Sequence, residues 1–376
     1  MSFTGVAASG ARVEYIDGKR HLWFLSFVPP LVVPLSYLLY LNTGNAAATL
    51  IPLLYIFGFI PAADALFGED RHNPPAEVVA AMEADRYYMK LARATVPLIW
   101  LSYISTIAFV GTQDLPWWSY VALLIGVGTI DGGALLVGHE LGHKANRVDQ
   151  IFGILANNAV GYAHFRIEHN RGHHTWVATP EDPASARFGE TIYSFAAREL
   201  PGAFRRGWAN EAERLTRRGL PVWSWRNEIL VGFALTLAVA AALVLLFGWK
   251  VAPFILAHHF MGWYALTQAN YVEHYGLKRE KDANGRYRPV EPRHSWNTNH
   301  IVSNLMTFHL QRHSDHHANP MRPYQSLRDF DDIPRLPSGY PGMFLLAAIP
   351  PLWFRTMDPR ALAWAGGDRS KLNTGA

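Results

Sequence analysis

Cysteine is absent from this chain of 376 residues. Without cysteine the protein cannot form disulfides, bind zinc through thiolates or hold an iron–sulfur cluster of its own. Any tightly bound metal ion must therefore be held by nitrogen or oxygen ligands. The chain also lacks a glycine-rich cofactor-binding motif, so it is not predicted to hold a flavin by itself.

Charged residues are also scarce. Asp, Glu, Lys and Arg together make up 17% of the chain, whereas hydrophobic residues make up 50%. This balance is unusual for a soluble protein and predicts burial in a lipid bilayer. The net charge of +4 is small, and no nucleic-acid-binding motif is present. The N-terminal residues are polar and precede a full-length apolar run, which is not the pattern of a cleaved signal peptide.

Six stretches are long and apolar enough to cross a membrane, which needs about 20 mostly apolar residues. The predicted spans are residues 22–41, 46–66, 94–110, 117–137, 229–247 and 251–269. The links at 42–45, 111–116 and 248–250 are short, so the spans pair into three hairpins. We predict an all-α integral membrane protein with one domain over residues 1–376 and six transmembrane helices.

The distribution of Lys and Arg predicts the orientation of these helices. The three short links contain one basic residue, Lys250, whereas the other polar segments are rich in Lys and Arg. Both termini and the two large polar segments, residues 138–228 and 270–376, are therefore expected on the cytoplasmic side. We expect these two segments to form a helical cap that carries the histidine motifs and the active site.

Nine of the 17 histidines fall in dense clusters on this expected cytoplasmic side. Histidines four positions apart, as in the stretch HELGHK, lie on one face of a helix and can share a metal ion. Nine ligands are too many for one ion but suffice for two, and neutral imidazole suits iron, copper, zinc and nickel alike. The nine candidate ligands are His139, His143, His169, His173, His174, His274, His313, His316 and His317.

Four acidic residues are interspersed among the clusters. A metal-binding histidine usually donates its second ring N–H to a carboxylate, which fixes the orientation of the ring. The candidates for this supporting role are Glu140, Glu168, Glu273 and Asp315, although one of them could instead bridge two ions or face solvent.

Six further polar residues lie near the clusters or inside the predicted spans. His164, His300 and His309 could line the site, with a packing or supporting role favoured for His309. Asp131, His258 and His259 fall within predicted spans, where a polar group is costly without a partner, so we expect them to hydrogen-bond between helices.

Two other functions would explain part of this pattern. The stretch HELGH (139–143) matches the motif of zinc metalloproteases, in which two histidines bind zinc and the glutamate activates water. A membrane metalloprotease needs only one or two further ligands, which leaves six or seven clustered histidines unexplained. A metal transporter should place its ligands near the middle of the membrane, whereas these clusters lie at or beyond the ends of the spans.

Taken together, the motifs resemble those of the membrane-bound alkane 1-monooxygenase family, within the wider class of histidine-rich membrane hydroxylases and desaturases. They are HELGHK (139–144), EHNRGHH (168–174), NYVEHYGL (270–277) and LQRHSDHHANP (310–320). The last two resemble alkane hydroxylases in particular, and the resemblance extends over nearly the whole chain. A related fatty-acyl desaturase or hydroxylase shares the sparser histidine spacing and is the nearest alternative.

This resemblance implies two non-haem iron ions held by the motif histidines, with O₂ as co-substrate and conversion of an n-alkane into a 1-alkanol. It also implies rubredoxin as electron donor, with a rubredoxin reductase upstream, and a location in the inner membrane of a bacterium. Oxidation of an unactivated methyl group requires O₂ and two electrons, and zinc does not exchange electrons. The chemistry therefore favours iron.

A medium- to long-chain alkane would dissolve in the bilayer and reach the metal ions between the helices. A bulky side chain must close such a tunnel, and the second predicted span offers Tyr55, Ile56, Phe57 and Phe59. Packing or lipid contact is the simpler role for each of them. Among them we select Ile56 as the gate.

Electrons must come from a separate protein or from a domain fused beyond residue 376, because the chain cannot hold the iron of a rubredoxin. Segment 198–218 is rich in arginine, and Arg205 and Arg206 are the candidate contacts for an acidic rubredoxin. The alternative is that these arginines contact anionic lipid headgroups.

Overall fold

The computed structural model describes residues 1–375, and helices dominate it. Five helices in this part of the chain are long and apolar enough to cross a membrane. They are Leu22–Thr43, Ala46–Phe67, Arg86–Thr112, Trp117–Gly142 and Glu228–Phe247, which we call spans one to five in chain order. Each contains one of the predicted windows, so five of the six predicted spans are confirmed as helices of spanning length.

The sixth predicted span falls in a helix of 23 residues, Ala252–His274. This helix is not among the five that are apolar enough, because polar side chains such as His258, His259 and Gln268 interrupt it. The count of six spans and their arrangement in three hairpins therefore remain predictions.

Two spans extend well beyond the apolar windows that predicted them. Span three begins directly after Asp85, whose side chain accepts a hydrogen bond from the backbone N–H of Tyr87 and so caps the helix. Span four continues to Gly142 and therefore carries His139 in its last turn. Apolarity marks the part of a helix that can lie in a bilayer, whereas backbone hydrogen bonding continues until a cap ends it.

Shorter elements connect and cover the spans. The remaining α-helices are Ala76–Glu83, Arg147–Ala159, Phe165–Glu168, His174–Trp176, Ile192–Arg217, Ile301–Met306, His313–Ala318, Tyr340–Ala347 and Pro350–Trp364. Short 3₁₀ turns are Leu22–Phe27 and Ala46–Leu50 at the starts of spans one and two, with Trp249–Val251, Pro292–His294, Tyr324–Ser326 and Arg369–Lys371 elsewhere. Two π-helical turns, Tyr55–Phe59 and His169–His173, complete the helical elements of the described residues.

A short N-terminal sheet departs from the all-α prediction. Strands β1 (Ser2–Val6) and β2 (Arg12–Ile16) pair antiparallel. Helix Ala76–Glu83 covers the sheet so closely that a Cβ atom on Gly5 would lie 2.0 Å from the carbonyl oxygen of Glu77. Five-residue strands carry too little alternating pattern to stand out in a polar N-terminus.

Span four is the most buried of the five spans, and glycine allows its neighbours to approach it closely. A Cβ atom on Gly138 would lie 1.9 Å from Oδ1 of Asn157, in helix Arg147–Ala159. A Cβ atom on Gly132 would lie 2.7 Å from Cβ of Ala265, in helix Ala252–His274. These contacts fix the positions of the helices whose ends carry His139 and His274.

Polar residues inside the bundle pair with each other, as the sequence predicts. His258 Nε2 lies 2.9 Å from Asp131 Oδ2, which joins helix Ala252–His274 to span four. The ring of Tyr103, in span three, stacks on His258 with centroids 4.9 Å apart. The expected hydrogen bond between helices is therefore confirmed for Asp131 and His258.

Candidate metal centre

The nine clustered histidines come together as two groups among the described residues. Each member offers one ring nitrogen, and within a group these nitrogens all lie within 4.8 Å of one another. The five-histidine group contains His139, His143, His169, His174 and His316, and the four-histidine group contains His173, His274, His313 and His317. The groups adjoin, because the ring centroids of His174 and His317 are 4.5 Å apart.

A π-helical turn, His169–His173, distributes the second histidine motif between the two groups. The backbone N–H of His174 reaches back to the carbonyl oxygen of His169, five residues earlier. This wider turn brings Nε2 of His169 and Nε2 of His174 within 3.0 Å of each other, in the five-histidine group. His173 lies in the other group. Single π-helical turns of this kind occur often at functional sites.

The short helix His313–Ala318 also serves both groups. Nε2 of His313 and Nε2 of His317, one turn apart, are separated by 2.9 Å in the four-histidine group. Nε2 of His316 lies 2.8 Å from Nε2 of His139 and 3.1 Å from Nε2 of His174 in the other group. Three histidines in one helical turn therefore supply ligands to two neighbouring points.

Burial keeps most of these rings neutral. It lowers the pKa of His143 to about 3, and it lowers the pKa of His169, His174 and His316 well below the ordinary value. For His173 burial acts in the same direction, but the nearby carboxylates of Asp182 and Glu168 together outweigh it, so the pKa is raised. Neutral imidazole is the form that binds metal ions, so the site is prepared for them.

The geometry of the ring nitrogens fits one metal ion per group. Nitrogens bound at about 2.0–2.1 Å to one ion lie roughly 3.0–3.4 Å from each other, close to the 2.8–3.1 Å separations found here. In residues 1–375, the buried Nε2 atoms of His143, His173 and His274 have no hydrogen-bond partner. Buried polar atoms are rarely left unpaired, and one metal ion in each group would satisfy all three: His143 in the five-histidine group, and His173 and His274 in the four-histidine group.

One of the four predicted supporting carboxylates contacts a clustered histidine ring. Glu273 Oε2 lies 3.2 Å from His313 Nε2, and the hydroxyl of Tyr340 donates to Glu273 Oε1 at 2.7 Å. Because Glu273 approaches the same ring nitrogen that faces His317, it is placed to contact a bound ion as well as the ring.

The other three predicted carboxylates are engaged by cations instead. Glu140 Oε1 lies 2.9 Å from Nζ of Lys144. Asp315 accepts hydrogen bonds from Arg322, and Glu168 accepts them from Arg206. Within the described residues none of the three hydrogen-bonds to a clustered ring, which differs from the sequence-based expectation.

Asp182 is a supporting carboxylate that the sequence did not reveal. Its Oδ2 accepts a hydrogen bond from Nδ1 of His173 at 2.9 Å and another from the hydroxyl of Ser185 at 2.7 Å. Its Oδ1 accepts from the guanidinium of Arg206 at 2.7 Å. Asp182 lies nine residues after His173 and outside every histidine motif, so only the folded chain shows the contact.

The three possible site-lining histidines lie outside both groups. Nδ1 of His309 lies 3.2 Å from the carbonyl oxygen of Tyr324, and its ring packs edge-on against Trp23. His164 packs against aromatic rings, and Nδ1 of His300 lies 2.5 Å from the hydroxyl of Thr298. The packing role favoured for His309 agrees with this arrangement.

The two arginines predicted to contact an electron donor differ in position. Arg205 is exposed, but the guanidinium of Arg206 turns inward to Glu168 and Asp182. Arg206 therefore does not offer a free cation at the surface, contrary to the prediction. Its position on a helix that covers the site could not be read from the charge pattern alone.

An apolar cavity leads from the spans toward the histidines. Its volume is about 90 Å³, and Ile56 lines it, as predicted for the tunnel. Tyr55 instead donates its hydroxyl to the sulfur of Met306 at 3.5 Å, and Phe59 is 58% exposed on the outer surface. A small adjoining cavity reaches His139 and His316, and both cavities share Leu136, Thr307 and Phe308 as lining residues.

Comparison with known proteins gives the class first. The family described as fatty acid desaturase matches residues 115–346, more than half of the chain, and the match includes all nine clustered histidines. The chain therefore belongs to this desaturase-type class, and its clustered histidines and apolar helices fit a histidine-rich membrane enzyme.

Nearly full-length relatives define the family within this class. The alkane 1-monooxygenases of Ectopseudomonas oleovorans and Pseudomonas putida are each 51% identical over 360 residues, 96% of this chain and 90% and 89% of their own lengths. Alkane 1-monooxygenase 1 of Alcanivorax borkumensis is 49% identical over 359 residues, 95% of this chain and 89% of its own length. The chain belongs to the alkane 1-monooxygenase family.

Proposed function

We propose that this protein hydroxylates the terminal carbon of n-alkanes. One alkane, one O₂, two electrons and two protons yield one 1-alkanol and one water, with rubredoxin as the electron donor. The observation that carries the proposal is an apolar cavity that leads to the buried five-histidine group, with the four-histidine group directly beside it. The relatives named above, whose name states the same reaction, support it.

Two iron ions are the proposed cofactor, one in each histidine group. Bound iron would supply the redox chemistry with O₂ that no side chain of this protein can perform. Asp182 and the backbone carbonyl of His294 hold Nδ1 of His173 and of His274, which leaves each Nε2 free to bind. Iron is preferred over zinc because removal of hydrogen from an alkane is an oxidation.

The protein side chains would bind and orient the substrate. The lining of the cavity is largely apolar, so an alkane chain is more stable in this space than in water. Leu136 and Phe308 lie where the apolar cavity meets the small cavity at His139. They would guide one end of the chain toward the histidines and keep bulk water out.

We propose the membrane arrangement predicted from the sequence. Helix Ala252–His274 would be the sixth span, paired with span five through a short link, and the segments that carry the histidines would form a cytoplasmic cap. The buried Asp131–His258 contact supports this assignment, because it satisfies the polar groups that make this helix less apolar than the others. A bacterial inner membrane is the proposed location.

The decisive experiment is a defined assay of the purified protein in lipid nanodiscs. The protein is loaded with ferrous iron and given a series of n-alkanes, O₂, rubredoxin and rubredoxin reductase with NADH, and products are identified by gas chromatography. We expect 1-alkanols, none of them without rubredoxin. Alkenes as the main product would indicate a desaturase, and no oxidised product from iron-loaded protein would contradict the proposal.

Metal analysis distinguishes the proposed enzyme from a zinc metalloprotease. The protease would contain stoichiometric zinc and would need the carboxylate of Glu140 to activate water. Here that carboxylate lies 2.9 Å from the ammonium of Lys144 and accepts the backbone N–H of Tyr324. The engaged carboxylate and the second histidine group both favour the oxygenase.

Replacing Ile56 by tryptophan is expected to shorten the longest alkane that the enzyme accepts. Ile56 lines the apolar cavity, so the added ring would occupy space that a long chain needs. The measurement is the rate of alcohol formation across the alkane series. Phe59→Trp is the matched control, because Phe59 lies on the same helix but faces outward. An unchanged length profile for Ile56→Trp would show that Ile56 is not the gate.

A further inference from the structure

A second cleft lies away from the apolar cavity, between the chain that follows His274 and the C-terminal residues. Its charged lining residues are Lys278, Arg288, Arg293 and Lys371, with Glu280 and Glu291. Within residues 1–375 none of the four cations forms an ion pair with a carboxylate. We call this surface the basic cleft; its four cations outnumber its two carboxylates, so it offers a net positive charge to a partner.

A single residue, His294, connects the basic cleft to the four-histidine group. His294 lines the cleft, and its backbone carbonyl accepts a hydrogen bond from Nδ1 of His274 at 3.3 Å. The turn Pro292–His294 is held in place because Nδ1 of His294 accepts the backbone N–H of Glu291 at 2.9 Å. A group bound in the cleft would therefore lie one residue from a candidate metal ligand.

The surroundings of the cleft are those of a surface that faces water. Residues 276–294 include no large hydrophobic side chain that is exposed. The arginine-rich helix Ile192–Arg217 differs, because Phe204 on it and Trp223 and Trp225 just after it are exposed, as is typical near a membrane surface.

The arginines of that helix are also largely neutralised. Arg198 pairs with Glu190, Arg214 with Glu211, Arg217 with Glu213, and Arg206 with Glu168 and Asp182. Arg205 and Arg218 are the members of segment 198–218 that form no such pair within the described residues. Little free charge is left on this helix to attract a soluble acidic protein.

We propose that the basic cleft is the docking site of an acidic one-electron carrier protein, the rubredoxin-type donor of the proposed function. The inference rests on that function. Each encounter transfers one electron from the carrier, which is oxidised, through His294 and His274 to the metal centre, which is reduced. Two encounters supply the two electrons that are consumed, with two protons and one O₂, for each alcohol and water formed.

The test reverses charge in the cleft. The double variant Arg288→Glu with Arg293→Glu, in nanodiscs of zwitterionic lipid, is expected to raise the KM for rubredoxin about tenfold at low ionic strength. The difference should shrink at about 1 M salt, where the Debye length falls to about 3 Å. Iron content and the KM for alkane should stay at the values of the unmodified protein. The matched variant Arg288→Lys with Arg293→Lys keeps the charge and should keep the KM for rubredoxin.

A direct binding measurement separates this proposal from the proposed function. Titration of oxidised rubredoxin into the nanodiscs reports docking whether or not alcohol is formed, and the charge-reversed variant should bind about tenfold more weakly. If the charge-reversed variant bound rubredoxin as tightly as the unmodified, active enzyme, the docking proposal would be overturned but the proposed function would stand. Absence of alcohol from the unmodified protein, with binding still dependent on the cleft, would overturn the function alone.

The competing surface provides the last comparison. Arg205→Glu with Arg218→Glu makes the same change of charge on the arginine-rich segment and should leave the KM for rubredoxin near its original value. A larger effect there than in the cleft would overturn the proposal. The proposal would also be overturned if the cleft variants changed the stability of the protein in anionic nanodiscs but did not change its binding of rubredoxin. The cleft would then hold lipid headgroups.

Discussion

Replacing His316 by alanine is expected to abolish alcohol formation and to remove iron from the five-histidine group. Nε2 of His316 lies 2.8 Å from that of His139 and 3.1 Å from that of His174, so the variant loses a nitrogen at the centre of the group. The loss should exceed the 10–100-fold effect typical of a residue that only supports a ligand. Iron per chain and alcohol formed per minute, measured on the same preparation, provide the test.

His72→Ala is the control for this experiment. The side chain of His72 is 96% exposed and lies outside both groups, so its removal should change neither iron content nor activity. His274→Ala makes the corresponding change in the four-histidine group and should also abolish activity. Full iron content and full activity in His316→Ala would exclude the proposed centre.

Replacing Asp182 by asparagine is expected to weaken metal binding in the four-histidine group by about 10–100-fold. The carboxylate accepts the Nδ1 hydrogen of His173 and so directs Nε2 of that ring into the group. The amide has nearly the same shape but carries no charge, and it can present its NH₂ group to Nδ1, which would favour the wrong tautomer of the ring. The measurement is the loss of iron to a chelator, monitored by Mössbauer spectroscopy. It reports the strength of metal binding independently of activity.

Arg206 belongs to the same prediction because it holds both Asp182 and Glu168. Removal of its charge would leave two buried carboxylates without a cation, and breaking a buried pair costs about 3–5 kcal/mol, enough to threaten folding. Arg206→Lys keeps the charge and is the variant to measure: it should retain more iron than Asp182→Asn. Arg205→Gln, one residue away on the surface, should bind iron normally. Normal iron binding in Asp182→Asn would show that Asp182 has no positioning role.

The nine histidines can be predicted from the sequence as candidate metal ligands, because the spacing within each motif is local. HELGHK places two rings one turn apart on any helix, and the crowded HSDHH stretch allows little else. The partition into two groups could not be predicted, because it depends on the π-helical turn at 169–173 and on how helix His313–Ala318 enters the site. Both depend on tertiary packing and leave no periodic signal in the sequence.

The contrast between local spacing and tertiary packing also explains why three of the four predicted carboxylates do not contact the clustered histidines. Proximity in sequence suggested Glu140, Glu168 and Asp315 as partners of the rings, but nearby cations bind all three. Asp182 reaches His173 from nine residues away. For the spans, the local signal is strong, because apolar runs predict the positions of the five helices. The same runs do not show where each helix ends.

The adjacency of His173 and His174 ties the two histidine groups together. One peptide bond joins a member of each group, and both lie where the π-helical turn ends. Binding of a first ion would restrict the conformations of this turn. A second ion would then bind with a smaller loss of conformational entropy. We expect cooperative loading: in an iron titration monitored by Mössbauer spectroscopy, molecules with one ion should be rarer than two independent sites would give. We therefore expect this single residue step in the backbone to couple the binding of one ion to the binding of the other.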